Sequence, residues 1–193
     1  MPGVSRETVQ PIVLAAGSAS RFGSDKLLAR TEGRPLLDHV LATVTALARL
    51  RGVAQPTVVV GPAHEGRIAL ARRWPVHILV VRQAGLGDSL RVAARSHRGV
   101  ALLVCLGDMP WVETRTLQRM LASWWRRPCG IVRPRAARSA APGPPVLLGR
   151  EAARALHGLA GDRGLRIPPG HGRVLQLPHD GRDVDVPADL VRR

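Results

Sequence analysis

Apolar residues along this chain follow two rhythms. Some form short unbroken runs that stop at glycine or proline: Pro11 to Ala15, Thr57 to Val60, Val76 to Val81 and Val100 to Leu106. Runs of that length with such boundaries predict buried strands. Between them, apolar residues recur at helical spacing. Pro35 opens one such stretch, Leu36, Leu37, Val40, Leu41, Val44, Leu47 and Leu50 carry it, and Gly52 ends it. Glu65 to Trp74, Asp88 to His97 and Glu113 to Trp125 read as further helices, with Glu113 near the positive end of the last. Gly130 to Arg133 predicts a fifth strand. Val174 to Leu177 and Val184 to Val186 are short strand-like pieces. Ala136 to Pro145, rich in alanine, proline and glycine, reads as a flap.

Unbroken apolar strands alternating with amphipathic helices indicate α/β architecture, a mostly parallel sheet covered on both faces. In such sheets ligands sit beyond the carboxyl ends of the strands. At 193 residues and 45% hydrophobic content, the chain is expected to fold as a single domain over 1–193. The run Ile12 to Ala16 is too short for a membrane span and has no cleavage pattern, so the expectation is a soluble cytoplasmic protein without membrane contact. Two cysteines, Cys105 in an apolar run and Cys129 after a proline, make neither a disulfide framework nor a metal site.

The formal charge of +15 raises the possibility of a basic nucleic-acid-binding module. Its arginines are scattered, and aromatics at 3% leave few stacking platforms, so nucleic acid is a minor alternative. A general arginine bias, or a positive field that draws in polyanionic small substrates, explains the charge as well. Against that bias one residue stands apart: 28 of the 29 basic side chains are arginine, and the single lysine is Lys26. Lysine is a compact, movable point charge where arginine is a planar fork.

Lys26 ends a loop that leaves the first strand: Leu14-Ala15-Ala16-Gly17-Ser18-Ala19-Ser20-Arg21-Phe22-Gly23-Ser24-Asp25-Lys26. Small residues let backbone N–H groups turn inward and cradle phosphate oxygens, with Arg21 and Lys26 adding full charge beside them. The glycine spacing fits neither the common phosphate loop nor the dinucleotide fingerprint. This loop resembles the signature of the MobA-like nucleotidyltransferases, and within them is most similar to the molybdenum cofactor cytidylyltransferases. Gly107-Asp108-Met109-Pro110, Gly143 to Leu148, Gly161-Asp162-Arg163-Gly164 and Asp183 to Pro187 extend the resemblance over nearly the whole chain.

That resemblance implies a three-layer, Rossmann-like α/β fold of the nucleotide-diphospho-sugar transferase type and a magnesium ion. It implies CTP as donor and molybdopterin as acceptor, with transient contact to a molybdoenzyme or its maturation chaperone. The pair Ala15-Ala16 supports CTP, since the guanylyl branch resembles this loop with two glycines there. GTP, or a sugar or alcohol phosphate acceptor, remains an alternative with the same chemistry. Catalytic residues would be Arg21, Lys26 and Asp108. Nucleotide would be bound by Leu14, Ala15, Ala16, Gly17, Ser18, Arg21 and Lys26, and by Gly87 and Ser89 in a base- and ribose-reading turn, Gly85 to Arg91. Asp88 in that turn reads equally as a helix N-cap.

Magnesium wants hard oxygen ligands and often keeps waters, so one or two carboxylates suffice. Asp108 leaves an apolar strand at its carboxyl end, and its alternative role is to cap the helix that follows. By resemblance Asp185 is the second metal ligand, with Asp183 on the same face of a short strand. Four of the 14 acidic residues fall between Asp180 and Asp189, and a solvated turn is their alternative reading.

Overall fold

The computed structural model describes residues 7–17, 22–82, 85–128, 130–135, 143–159, 161, 172–177 and 182–190. Strand β1 (Val9–Ala15) is buried along its whole length. It lies between β4 (Thr57–Val60) and β6 (Ala101–Leu106), parallel to both. β5 (His77–Val80) extends that side in parallel. β7 (Ile131–Arg135), β8 (Val146–Leu148) and β9 (Arg173–Gln176) complete a seven-stranded sheet of order β5-β4-β1-β6-β8-β7-β9. Among the described strands of this sheet, only β8 runs against its neighbours.

Helices cover both faces, which makes three layers. On one face α1 (Leu36–Thr45), α2 (Glu65–Ala71) and α4 (Thr114–Arg126) bury Leu37, Val40, Leu41, Val44, Leu70, Met120 and Trp124 against Val13, Val58 and Leu103. On the other, α3 (Leu86–Ser96) and α5 (Arg150–Ala155) bury Leu90, Ala93, Ala94 and Ala153 against Ile12, Leu14, Val59 and Val104. Alternate residues of each strand feed the two cores, so every central strand must be apolar on both sides. Pro11 sits inside β1, an interior strand, although it has no N–H to give to the ladder. Among the described residues no helix is long and apolar enough to cross a membrane.

Four expectations change. The stretch Val146–Leu148, which the sequence offered only as part of the motif Gly143 to Leu148, is the antiparallel strand β8, too short to show a period. A two-stranded hairpin, β2 (Arg30–Thr31) and β3 (Arg34–Pro35), turns through Glu32 and Gly33, both at positive φ, before α1 starts. Val184 to Val186 is no strand. Its N–H groups go to Asp108 O and to the Asp189 carboxylate, and a 3-10 turn, Pro187–Leu190, follows. Neither Asp88 nor Asp108 caps a helix: Gly85 and Glu113 hold those positions. The segment 136–142 of the expected flap, and Asp180 and Cys129, lie outside the described residues.

Candidate active site

β1 delivers Leu14, Ala15 and Ala16, all buried, to the carboxyl edge of the sheet. Gly17 follows; Ser18 and Arg21 lie outside the described residues. The loop returns through Asp25, which caps a 3-10 turn at Lys26–Leu28 by accepting Leu27 N–H at 3.1 Å. Leu27 anchors that turn in the core.

β6 ends beside it. Gly107 N–H donates to Leu14 O at 2.9 Å, and a Cβ on Gly107 would stand 3.1 Å from the same oxygen. A side chain there would push the end of β6 away from β1, so glycine holds Asp108 close to the loop. Asp108 O in turn accepts Val184 N–H at 3.0 Å and draws the C-terminal segment in. Val184 is fully buried with Leu36 and Trp111, and the Arg182 guanidinium stacks 4.8 Å from the Trp111 ring centroid. Thr31 Oγ1 donates to Leu190 O at 2.6 Å, and the Asp189 carboxylate accepts the N–H groups of Asp185 and Val186. These contacts turn the exposed Asp185 toward the loop.

Lys26, Asp108 and Asp185 therefore meet. Lys26 Nζ lies 2.9 Å from Asp108 Oδ2 and 3.1 Å from Asp185 Oδ1. Desolvation alone would lower the Lys26 pKa. Hydrogen bonds and charge from Asp108, then Asp185, outweigh it and the net shift is upward. Asp183 is nearby in effect: partial desolvation raises its carboxyl pKa, its own backbone N–H opposes this, and Asp185 and Asp108 add to the rise.

Asp108 Oδ1 is buried without a hydrogen-bond partner. An acceptor-only atom left so inside a protein is costly unless a cation or donor completes it. Among the described residues no three His, Cys, Asp or Glu side chains could hold a metal by themselves. Two carboxylates still suit magnesium, which takes phosphate oxygens and waters for its remaining positions.

Sequence reasoning missed the residue that shapes the loop. Arg67 of α2 is 1% exposed. Its Nε donates to both oxygens of Asp25 at 2.8 Å. Its Nη1 donates to Ala15 O at 2.6 Å and Gly17 O at 2.8 Å. One guanidinium thus ties the start of the loop to its end, directly before Lys26. His64 stands 3.4 Å from the same Nη1, and desolvation, then the Arg67 charge, lowers its pKa. Among so many arginines Arg67 had no compositional signal. Its register, sharing the inward face of α2 with Leu70 and Ala71, was the available clue.

Gly87 and Ser89 lie buried in the first turns of α3. There Gly161 clasps the helix start: its O accepts Gly87 N–H at 2.9 Å, and its N–H donates to Asp88 Oδ2 at 3.1 Å. The other Asp88 oxygen pairs with Arg91 at 2.7 Å. A Cβ on Gly85 would come within 2.2 Å of Gly161 O, so glycine is required there. The Gly87 N–H is thus engaged within the protein.

A lysine between two carboxylates at the carboxyl edge of a three-layer mixed sheet is an arrangement that can take a phosphate and a cation together, as a nucleotidyltransferase must. Residues 11–171 match the family described as the MobA-like NTP transferase domain, and the chain belongs to that family. Rv0371c from Mycobacterium tuberculosis H37Rv is similar at 30% identity, with TM-score 0.75 over 94% of this chain and 95% of that one. A second structure of that protein, a complex with manganese, is 28% identical with TM-score 0.73, over 94% of this chain and 95% of that one. The bifunctional protein GlmU of Parvibaculum lavamentivorans is 35% identical over 116 residues, which are 56% of this chain and 25% of that protein. The chain thus spans about a quarter of the length of that relative.

Proposed function

We propose that this protein transfers CMP from CTP to the phosphate of molybdopterin, releasing pyrophosphate. The observation that carries nucleotidyl transfer is the meeting of Lys26 with Asp108 and Asp185 where the β1 loop closes. Ala15-Ala16 at the head of that loop supports CTP by its similarity to the cytidylyl branch. The unpartnered Asp108 Oδ1 and the exposed Asp185 carboxylate fit a divalent cation, and the manganese complex of Rv0371c supports one. Magnesium held by Asp108 and Asp185 would supply charge neutralisation on the triphosphate.

The chain's own groups supply position and charge. Backbone N–H groups after Ala16 cradle the phosphates, and Arg21 steadies the pyrophosphate as it leaves. Lys26 exchanges a carboxylate for an α-phosphate oxygen and neutralises the charge that gathers there. An oxygen of the acceptor phosphate attacks the α-phosphorus in line, and the bond to the pyrophosphate oxygen breaks. That acceptor is already ionised at neutral pH, so no general base is assigned. A second reading keeps the same chemistry with GTP or with a sugar or alcohol phosphate as acceptor, since the family match fixes neither base nor acceptor.

The test is a screen of the four nucleoside triphosphates with molybdopterin and magnesium, read by pyrophosphate release. CTP is expected to lead, and glycine at both Ala15 and Ala16 to narrow its lead over GTP. A wild-type preference for GTP would overturn the cytidylyl assignment and leave the reaction class standing.

A further inference from the structure

Strand β7 carries a feature that the proposed chemistry does not use. Its sequence is Ile-Val-Arg-Pro-Arg. Val132 and Pro134 are buried, Val132 in the core under α4. Ile131, Arg133 and Arg135 alternate to the other face, where Ile131 packs against the cluster that holds Val104 and Leu148. Both arginines are partly buried, and the Nε of each is buried without a hydrogen-bond partner. Among the described residues neither side chain forms a hydrogen bond or an ion pair.

Other confined arginines of this protein behave differently. Arg67 has Asp25 and two carbonyls. Arg91 has Asp88 and Leu159 O. Arg173, beside Val132 on β9, donates to Ser123 O, Ser123 Oγ and Arg127 O. Burying an Nε–H without a partner is costly, and two such donors on one strand face, unmatched among the described residues, are suited to an anion that comes in from solvent.

The register places them. Val132 pairs with Leu147, and Leu147 with Leu103. Arg135 is therefore level with Leu106, two residues before Asp108, and Arg133 is level with Val104. Two strand spacings, roughly 10 Å, separate β7 from β6, and the two arginines rise roughly 7 Å apart on one face. An arginine side chain bridges much of that gap. The face is the one that α3 and α5 cover, and the edge is the carboxyl edge that carries Asp108 and Lys26.

We infer that Arg133 and Arg135 are the anion-binding wall of the acceptor site and that they grip the phosphate of a phosphomonoester acceptor. This rests on the transferase reading above. Paired arginines supply bidentate, charge-assisted hydrogen bonds to phosphate, which lysines or backbone groups do not match in geometry. The Arg133–Arg135 pair sets where the attacking oxygen stands, while the β1 loop holds the donor.

Two arms test it on the full chain. In the first, wild-type protein labelled with 15N-arginine is titrated with inorganic phosphate against chloride at equal ionic strength. The Nε–H resonances of Arg133 and Arg135, assigned with single Arg→Met variants, should move saturably with phosphate alone. If they do not move, the inference falls whatever the enzyme does. In the second, steady-state pyrophosphate release is measured with donor and acceptor varied in turn. Arg135→Met should raise the acceptor KM about tenfold to a hundredfold, with donor KM within about twofold, and Arg135→Lys should recover part of the loss. A rise in donor KM instead would assign the pair to the triphosphate and overturn the inference. Resonances that respond to phosphate in a protein that transfers nucleotide to no acceptor would sink the transferase reading and leave the anion site in place.

Discussion

Replacing Arg67 with methionine keeps an unbranched chain of similar reach in α2 and deletes the guanidinium. Three groups then lose their donor: the Asp25 carboxylate, Ala15 O and Gly17 O. Hydrogen bonds to charged groups contribute ~1.5–3 kcal/mol each, and breaking a buried ion pair costs ~3–5 kcal/mol. Asp25 is 26% exposed at its side chain, so water recovers part of its solvation. We predict a net loss of about 3 kcal/mol, which for a chain of this size lowers Tm by roughly 6–12 °C. The catalytic effect is separate. Asp25 also accepts Leu27 N–H, so freeing it loosens the turn that aims Lys26, and a misaim near 1 Å costs on the order of a hundredfold in rate. Pyrophosphate release, measured well below the lowered Tm, should fall by about tenfold to a hundredfold in kcat. A double-mutant cycle with Asp25→Asn isolates the link, with an expected coupling of roughly 1.5–3 kcal/mol. Additive losses, or an Arg67→Met enzyme with wild-type kcat, would refute the argument.

Lys26→Ala should lose about a hundredfold to a thousandfold in kcat with a smaller change in donor affinity, and Lys26→Arg should also be impaired. An arginine variant that turns over like wild type would make the lone lysine a codon accident. Asp108→Asn should cost far more activity than Glu151→Gln on the exposed start of α5, and equal rates would remove Asp108 from the chemistry. Burial pushes the Cys105 thiol from 9.0 up to about 12. The unfolded chain releases that proton first, so stability is complete below pH 9 and is lost as pH rises toward 12, by up to ~1.4 kcal/mol per unit. Urea midpoints at pH 8, 9 and 10 should therefore fall more steeply for wild type than for Cys105→Ala. Parallel slopes would show that the thiol does not titrate as its burial requires.

The alternation of apolar runs with helical periods, read along the chain, was enough to determine the α/β class, because a sheet buried on both faces must be apolar at every strand position. It also isolated Lys26, since a point charge kept amid arginines shows in composition. Asp108 was legible because it ends the most apolar run of the chain. The antiparallel strand β8 was not, since three residues carry no measurable period. Nor was the route of the C-terminal segment, whose acidic cluster alternates like a strand but spends its N–H groups on Asp108 O and Asp189. Arg67 and the Arg133–Arg135 pair differ from their fellow arginines only in what surrounds them. Partner and burial are properties of residues brought together from distant parts of the chain, 42 positions apart for Arg67 and Asp25. Only the folded arrangement decides which charge is tied down and which is left to meet a ligand.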